Sequence, residues 1–189
     1  MKRLATIALV VMLSIPLVHA QESMFNMGDK VVNLGIGLGS TLYRGLYYSR
    51  GVPPVSISYE QALMDEILEK GVIGVGGYLG YTSYKYRYDW LGGEYGWNYS
   101  NIILAALGSF HYPLVDKLDT YGGVLVGYRI NTAREYGDIP TGTINSASGG
   151  IVFSPFVGAR YYFTDNIAAF GQLGYGIAYL TLGVSLRMN

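Results

Sequence analysis

The chain has 189 residues, with 27 Gly, 19 Tyr, half its residues apolar, 14% charged and no Cys. That length suits one domain of ordinary size, and the charge content falls well below the roughly 25% of an average soluble domain. A formal net charge of zero gives no support to electrostatic attraction to nucleic acid, and the lack of Cys excludes a disulfide framework, a thiolate metal site and a lipidated N-terminal Cys.

At the N-terminus Lys2 and Arg3 precede an apolar run from Leu4 to Leu13, followed by Ser14, Pro16 and the small-residue ending Val18-His19-Ala20. These are the three parts of a secretory signal peptide, with cleavage expected after Ala20. The apolar run is too short for a spanning helix, and no later stretch reaches ~18 consecutive apolar residues. The expected organisation is a signal peptide over 1–20, a short N-terminal segment over 21–29 and one domain over 30–189.

From residue 30 onward the dominant signal is strict alternation, the period of a strand. Val32, Leu34, Ile36 and Leu38 alternate with Asn33, Gly35, Gly37 and Gly39. Farther along, Val124, Val126, Tyr128 and Ile130 alternate with Gly123, Leu125, Gly127 and Arg129. Phe153, Val157, Ala159 and Tyr161 alternate with Ser154, Gly158 and Arg160. At the C-terminus Leu180, Leu182, Val184, Leu186 and Met188 alternate with Thr181, Gly183, Ser185, Arg187 and Asn189. Alternation and turn residues together give eight runs, approximately 30–42, 54–64, 71–87, 98–112, 119–132, 150–163, 166–176 and 178–188. Most reach the ~9 to 11 tilted residues that cross a hydrocarbon core, and an even antiparallel series closes without leaving an edge. The sequence therefore predicts an all-β fold, an eight-stranded antiparallel up-and-down transmembrane β-barrel.

The connections alternate in length. Those around 65–70, 113–118 and 164–166 are short and rich in Asp, Lys, Pro or Asn, whereas 43–53, 88–97 and 133–149 are longer. Short turns belong on the periplasmic side and longer loops outside. Two local irregularities stand out. Pro155 removes a ladder donor inside the sixth run, which predicts a bulge or irregular pairing. Residues 61–70 carry some helical spacing, with Glu66 and Lys70 at i, i+4, which admits a short helical turn between the second and third strands.

A secreted eight-stranded barrel can also be a soluble lipocalin-like carrier, and the composition of the two faces decides between them. Here the bulky aliphatic set alternates with Gly, Ser, Thr, Asn and isolated Arg. A face of Gly and Ser cannot fill an apolar core, so the small-polar face suits a narrow lumen and the bulky face suits lipid. Tyr81, Tyr84, Tyr86, Tyr88, Trp90, Tyr95, Trp97 and Tyr99 gather around one outer connection, and Tyr112, Tyr121, Tyr161 and Phe163 lie toward the opposite ends, as two interfacial aromatic girdles would.

The segments Leu118-Asp119-Thr120-Tyr121-Gly122-Gly123, Gly127-Tyr128, Gly158-Ala159-Arg160-Tyr161-Tyr162-Phe163-Thr164-Asp165-Asn166, Leu173-Gly174-Tyr175-Gly176 and Leu182-Gly183-Val184 resemble the outer-membrane β-barrel domain family of small eight-stranded barrels. The resemblance is most specific over 118–188 and looser over 30–117, where Ser58-Tyr59-Glu60 and Val75-Gly76-Gly77-Tyr78 carry it. It implies the fold and an outer-membrane location in a Gram-negative bacterium, and it transfers no catalytic residue. It also implies an acidic residue where Gln172 stands, and a terminal aromatic residue for the barrel-assembly machinery where this chain ends Arg187-Met188-Asn189.

No residue set points to a reaction. His111 is the one histidine of the expected mature chain and lies two residues from Ser109, which admits a lipid-modifying hydrolase. Alternation with Ile102, Leu104, Ala106 and Phe110 turns both inward, where a hydrogen-bonded lumen histidine is the preferred reading. Glu60, Arg129, Arg160, Gln172 and Arg187 also fall on inward positions. Charged groups in a narrow lumen must pair, so these residues with His111 are the candidate polar network. The Gly-rich pieces 35–39 and 74–77 lie within strands with no following helix, which rules out phosphate cradling. The sequence thus predicts a non-enzymatic outer-membrane barrel with an envelope or surface-contact role, no cofactor and outer-membrane lipids as its surroundings. A small porin-like channel is the alternative, weakened because eight strands enclose a lumen that side chains fill.

Overall fold

A computed structural model describes residues 23–40, 48–90, 93–137 and 145–188. The signal peptide and its cleavage after Ala20 lie outside the described residues. The chain forms β1 Lys30–Ser40, β2 Tyr48–Ile67, β3 Gly71–Trp90, β4 Gly93–Val115, β5 Leu118–Gly137, β6 Asn145–Tyr162, β7 Ile167–Gly174 and β8 Ala178–Met188. Each strand pairs antiparallel with the next, and β1 pairs with β8 to close the barrel. Closure gives interior backbone groups a partner without an edge, which a hydrocarbon environment requires.

The alternation read from the sequence sorts the side chains as expected. Leu34, Ile36, Leu38, Leu104, Val126, Phe153, Val157, Leu182 and Val184 are exposed, whereas Asn33, Ser58, Ser154, Thr181 and Ser185 are buried. Around the ring the outward positions of 32–38, 55–59, 73–81, 102–112, 120–130, 151–161, 167–173 and 182–188 carry no charged residue. This is an unbroken apolar belt.

The inner face is less uniformly small than the alternation suggests. Tyr78, Ile103, Leu107, Tyr121, Leu125, Phe156 and Ile177 form a buried apolar cluster across the middle of the barrel. Glycines beside them create the room. A Cβ on Gly158 would lie 2.6 Å from the ring of Tyr121, the residue directly opposite it. Ile177, in the short β7–β8 connection, is fully buried within this cluster.

The two ends differ. At one, the connections 68–70, 116–117 and 163–166 are tight, with Leu68, Glu69 and Lys117 in the left-handed backbone region. No helix forms over 61–70, because β2 continues to Ile67 with register shifts after Ala62 and Met64. At the other end, the described residues of the long loops expected over 43–53, 88–97 and 133–149 are strand, namely 48–53, 88–90, 93–97, 133–137 and 145–149. Tyr86 pairs with Trp97, and Arg134 with Asn145. With 20 residues in β2, β3 and β5 and 23 in β4, these strands run about twice the length needed to cross hydrocarbon. Beyond lipid both faces meet water, so the period-2 signal fades while ladder hydrogen bonds persist.

Pro155 does not disturb the sheet. It pairs with Val124 in continuous register, and the ladder to β7 begins only at Phe156, so no donor is required of Pro155 on that side. The expected bulge is absent there. Among the described side chains, which do not include those of Tyr88 and Trp90, the aromatic residues do not form two complete girdles. Register places Tyr84, Tyr86, Trp97 and Tyr99 on the lumen side of the extended strands, with Tyr84 buried, and Tyr121 turns into the barrel. Tyr161 and Phe163 stay outside, edge to face with centroids 5.5 Å apart.

Candidate functional site

Inside the barrel, toward the tight-turn end, inward-facing polar residues from almost every strand meet. Arg160 on β6 is 1% exposed and donates in three directions. Its Nη1 reaches Asp119 Oδ2 on β5 at 2.9 Å, its Nη2 donates to Glu60 Oε2 on β2, and its Nε reaches Asn33 Oδ1 on β1 at 3.2 Å. Asn33 in turn donates to Ser58 Oγ at 2.9 Å and accepts from Ser185 Oγ on β8 at 2.6 Å. The guanidinium carbon also lies 4.5 Å from the centroid of the Tyr121 ring, giving the cation an aromatic face.

His111 on β4 bridges the two carboxylates. Nδ1 lies 2.8 Å from Asp119 Oδ1 and Nε2 lies 2.8 Å from Glu60 Oε1. Ionised carboxylates only accept, so a ring that satisfies both donates from both nitrogens and is the imidazolium. Arg160 and His111 then balance Glu60 and Asp119, and the cluster is neutral as a unit. Neutrality matters here because an uncompensated charge in a closed lumen carries a large desolvation cost. β3 contributes by omission. A Cβ on Gly74 would fall 2.6 Å from Glu60 Oε1 and 2.7 Å from Ser109 Oγ, so only glycine leaves the carboxylate its place.

The residues singled out by sequence separate into groups. Glu60, His111 and Arg160 belong to the cluster. Gln172 sits at its margin, accepting from the Tyr121 hydroxyl at 3.4 Å, while the carboxylates that pair with Arg160 come from β2 and β5. Arg187 lies at the tight-turn end, where Nη1 donates to the Met24 carbonyl at 2.8 Å and lies 3.6 Å from Asp29 Oδ2. Arg129 stands apart, opposite Ile103 and Gly150 in the far half of the barrel. Asp119, Asn33 and Ser185 complete the cluster without having been singled out. Their signal was parity, since Asp119 shares its face with Gly123 and Leu125, Asn33 alternates with Val32 and Leu34, and Ser185 alternates with Val184 and Leu186.

The connectivity Ser109, His111, Asp119 invites a nucleophilic reading, because Ser109 Oγ is 3.0 Å from His111 Nε2 and the imidazole is anchored on an acid. The details oppose it. Ser109 donates its hydroxyl proton to Glu60 Oε1, and Nε2 of a doubly donating ring has no lone pair with which to take that proton. Arg160 occupies the remaining carboxylate oxygens. Among the described residues no three His, Asp or Glu converge as metal ligands.

An apolar outward belt, a closed ring of eight antiparallel strands and a lumen packed with side chains define a small β-barrel of the outer-membrane type. Solved structures that share this fold include two outer-membrane proteins. One is Ail, the attachment invasion locus protein of Yersinia pestis, in complex with the heparin analogue sucrose octasulfate. It matches with a TM-score of 0.55 and 12% identity over 86% of this chain and 100% of Ail. The other is the outer membrane protein OprG from Pseudomonas aeruginosa, with a TM-score of 0.51 and 9% identity over 89% of this chain and 100% of OprG. No family model and no curated protein matches the sequence.

Proposed function

We propose that this chain is a non-enzymatic, non-conducting barrel of the Gram-negative outer membrane, exported by a cleaved signal peptide and folded there by the barrel-assembly machinery, with a surface-contact or envelope role. The observation that carries the reading is the uncharged belt running around the whole closed ring, which suits lipid and nothing aqueous. Under this reading the tight turns face the periplasm and the long paired ends of β2 to β6 rise outside the membrane, where they present the contact surface. The likeness to an attachment protein bound to a heparin analogue supports that direction.

The filled lumen argues against the channel alternative. The void between Tyr78, Leu125, Phe156 and Ile177 is about 10 Å³, no more than a single water needs. The test is cell fractionation with heat-modifiable gel mobility, followed by planar-bilayer recording of the purified barrel. Outer-membrane recovery, a folded band that shifts on boiling and electrically silent bilayers are expected. A soluble periplasmic product would overturn the membrane reading, and discrete conductance steps would replace it with the channel.

A further inference from the structure

The residues just before β1 do not belong to the wall. Residues 23–29 fold back across the tight-turn mouth, and Phe25 enters it to be fully buried against Val31, Ala62 and Val72. The Phe25 ring lies 4.3 Å from the His111 ring, and the Arg160 guanidinium carbon is 5.8 Å from its centroid. One apolar ring therefore covers the charged cluster on the side where the barrel would otherwise open.

The attachment of this segment is slight for so central a position. Outside its own turn its polar attachments are Gly28 N donating to Ala62 O at 3.1 Å, Ala62 N donating to Asp29 O at 2.9 Å, and Arg187, whose Nη1 donates to Met24 O at 2.8 Å and lies 3.6 Å from Asp29 Oδ2. Its turn is self-contained, with Asn26 N on Asp29 Oδ2 at 2.9 Å, Asp29 N on Asn26 O at 2.9 Å and Gly28 at φ +91°. The barrel ladders do not depend on it. β1 and β8 pair from Lys30 with Met188, and β1 and β2 from Lys30 with Gln61.

We propose that the tight-turn mouth of the barrel is a docking site for one aromatic side chain, filled in cis by Phe25, and that residues 23–29 act as a detachable stopper over the buried charges. Seated, the ring keeps water from Arg160, His111, Glu60 and Asp119 and preserves the low dielectric in which their mutual attraction is strong. Detached, it exposes the cluster to one side only, because Ile177 and its apolar neighbours still fill the barrel beyond. The device changes access to the charges without opening a pore.

The chain has no Cys, so Ala62→Cys places a single thiol under the stopper, at a position that is 2% exposed. The full-length protein, folded in detergent or liposomes, is treated with a charged, membrane-impermeant maleimide. Labelling is slow with Phe25 in place and at least tenfold faster with Phe25→Ala, while the heat-modifiable folded band persists in both. Equal labelling rates in the two folded proteins overturn the proposal. If Phe25→Ala does not reach the folded band, Gly28→Pro decides, since it removes the Gly28 N–H bond to Ala62 O and cannot adopt the φ of +91° that the turn requires, while leaving the ring chemistry intact. Accelerated labelling of that variant supports a stopper. Unchanged labelling, or failure of this variant to fold as well, makes the segment part of the wall and refutes it.

Discussion

Arg160 and Glu60 stand a hundred residues apart in the chain and form an ion pair inside the barrel, joining β6 to β2 across the lumen. Asp119 takes the other arm of the same guanidinium, so one cation holds two carboxylates that would otherwise repel each other in a confined space.

Removing that cation should be among the most damaging single changes. Arg160→Ala leaves two buried carboxylates facing one imidazolium, and a broken buried pair of this kind costs about 3–5 kcal/mol. The expected result is a lower midpoint in urea unfolding of the folded barrel. Arg160→Met combined with Glu60→Gln removes one cation and one carboxylate together, leaves His111 paired with Asp119, and should recover part of the loss. A single variant as stable as the parent would contradict the account.

The space beside Glu60 is a second point of sensitivity. Gly74→Ala drives a methyl into the carboxylate and the Ser109 hydroxyl, and overpacking of this kind costs about 1–3 kcal/mol. Gly108 lies on the outward face of β4, where an added Cβ meets nothing within 4 Å. Gly108→Ala should leave the same unfolding midpoint unchanged or slightly raised.

The outer belt is tested by placing charge in it. Val126 is exposed near the middle of the outward run of β5, opposite Phe153, and Val126→Arg should cost about 2–4 kcal/mol of bilayer stability. Leu68, in the tight turn after β2, is 75% exposed, and Leu68→Arg should stay within about 0.5 kcal/mol of the parent. Folding yields into lipid vesicles, read by heat-modifiable mobility, separate the two. Equal yields would mean that the belt does not face lipid.

Ser109 is a structural donor in this account. Ser109→Ala should cost about 1 kcal/mol through the lost bond to Glu60 and should leave the lipid A composition of the cell as it was. A lipid A species that disappears in both Ser109→Ala and His111→Ala cells, with the barrel still folded, would establish an enzyme.

Much of the site was legible once inward parity was assigned. Glu60, His111, Arg160, Gln172 and Arg187 all occupy lumen-side positions, but parity cannot state their height along the barrel. Strand tilt and register put Arg160 level with Asp119 and Asn33, while Arg129, on the same face of β5 as Asp119, is ten residues along the strand and takes no part. The resemblance drew attention to position 172, yet Gln172 meets Tyr121 because Glu60 and Asp119 already fill the guanidinium. The aromatic residues mark the same limit. Tyr84 and Trp97 have the composition of a girdle, and cross-strand register turns them inward.

What the residues alone settle is the barrel. Alternation with period two and an uncharged bulky face are local properties, each read within a few residues because successive side chains on a strand must point to opposite faces, and the even number of runs follows from counting them along the chain. What required the closed structure is everything that depends on distance across the lumen. The neutral cluster of Glu60, His111, Asp119 and Arg160, the plug at Ile177 and the ring of Phe25 over the charges all join segments far apart in sequence. Their meeting is fixed by strand register, shear and closure, which no local pattern encodes.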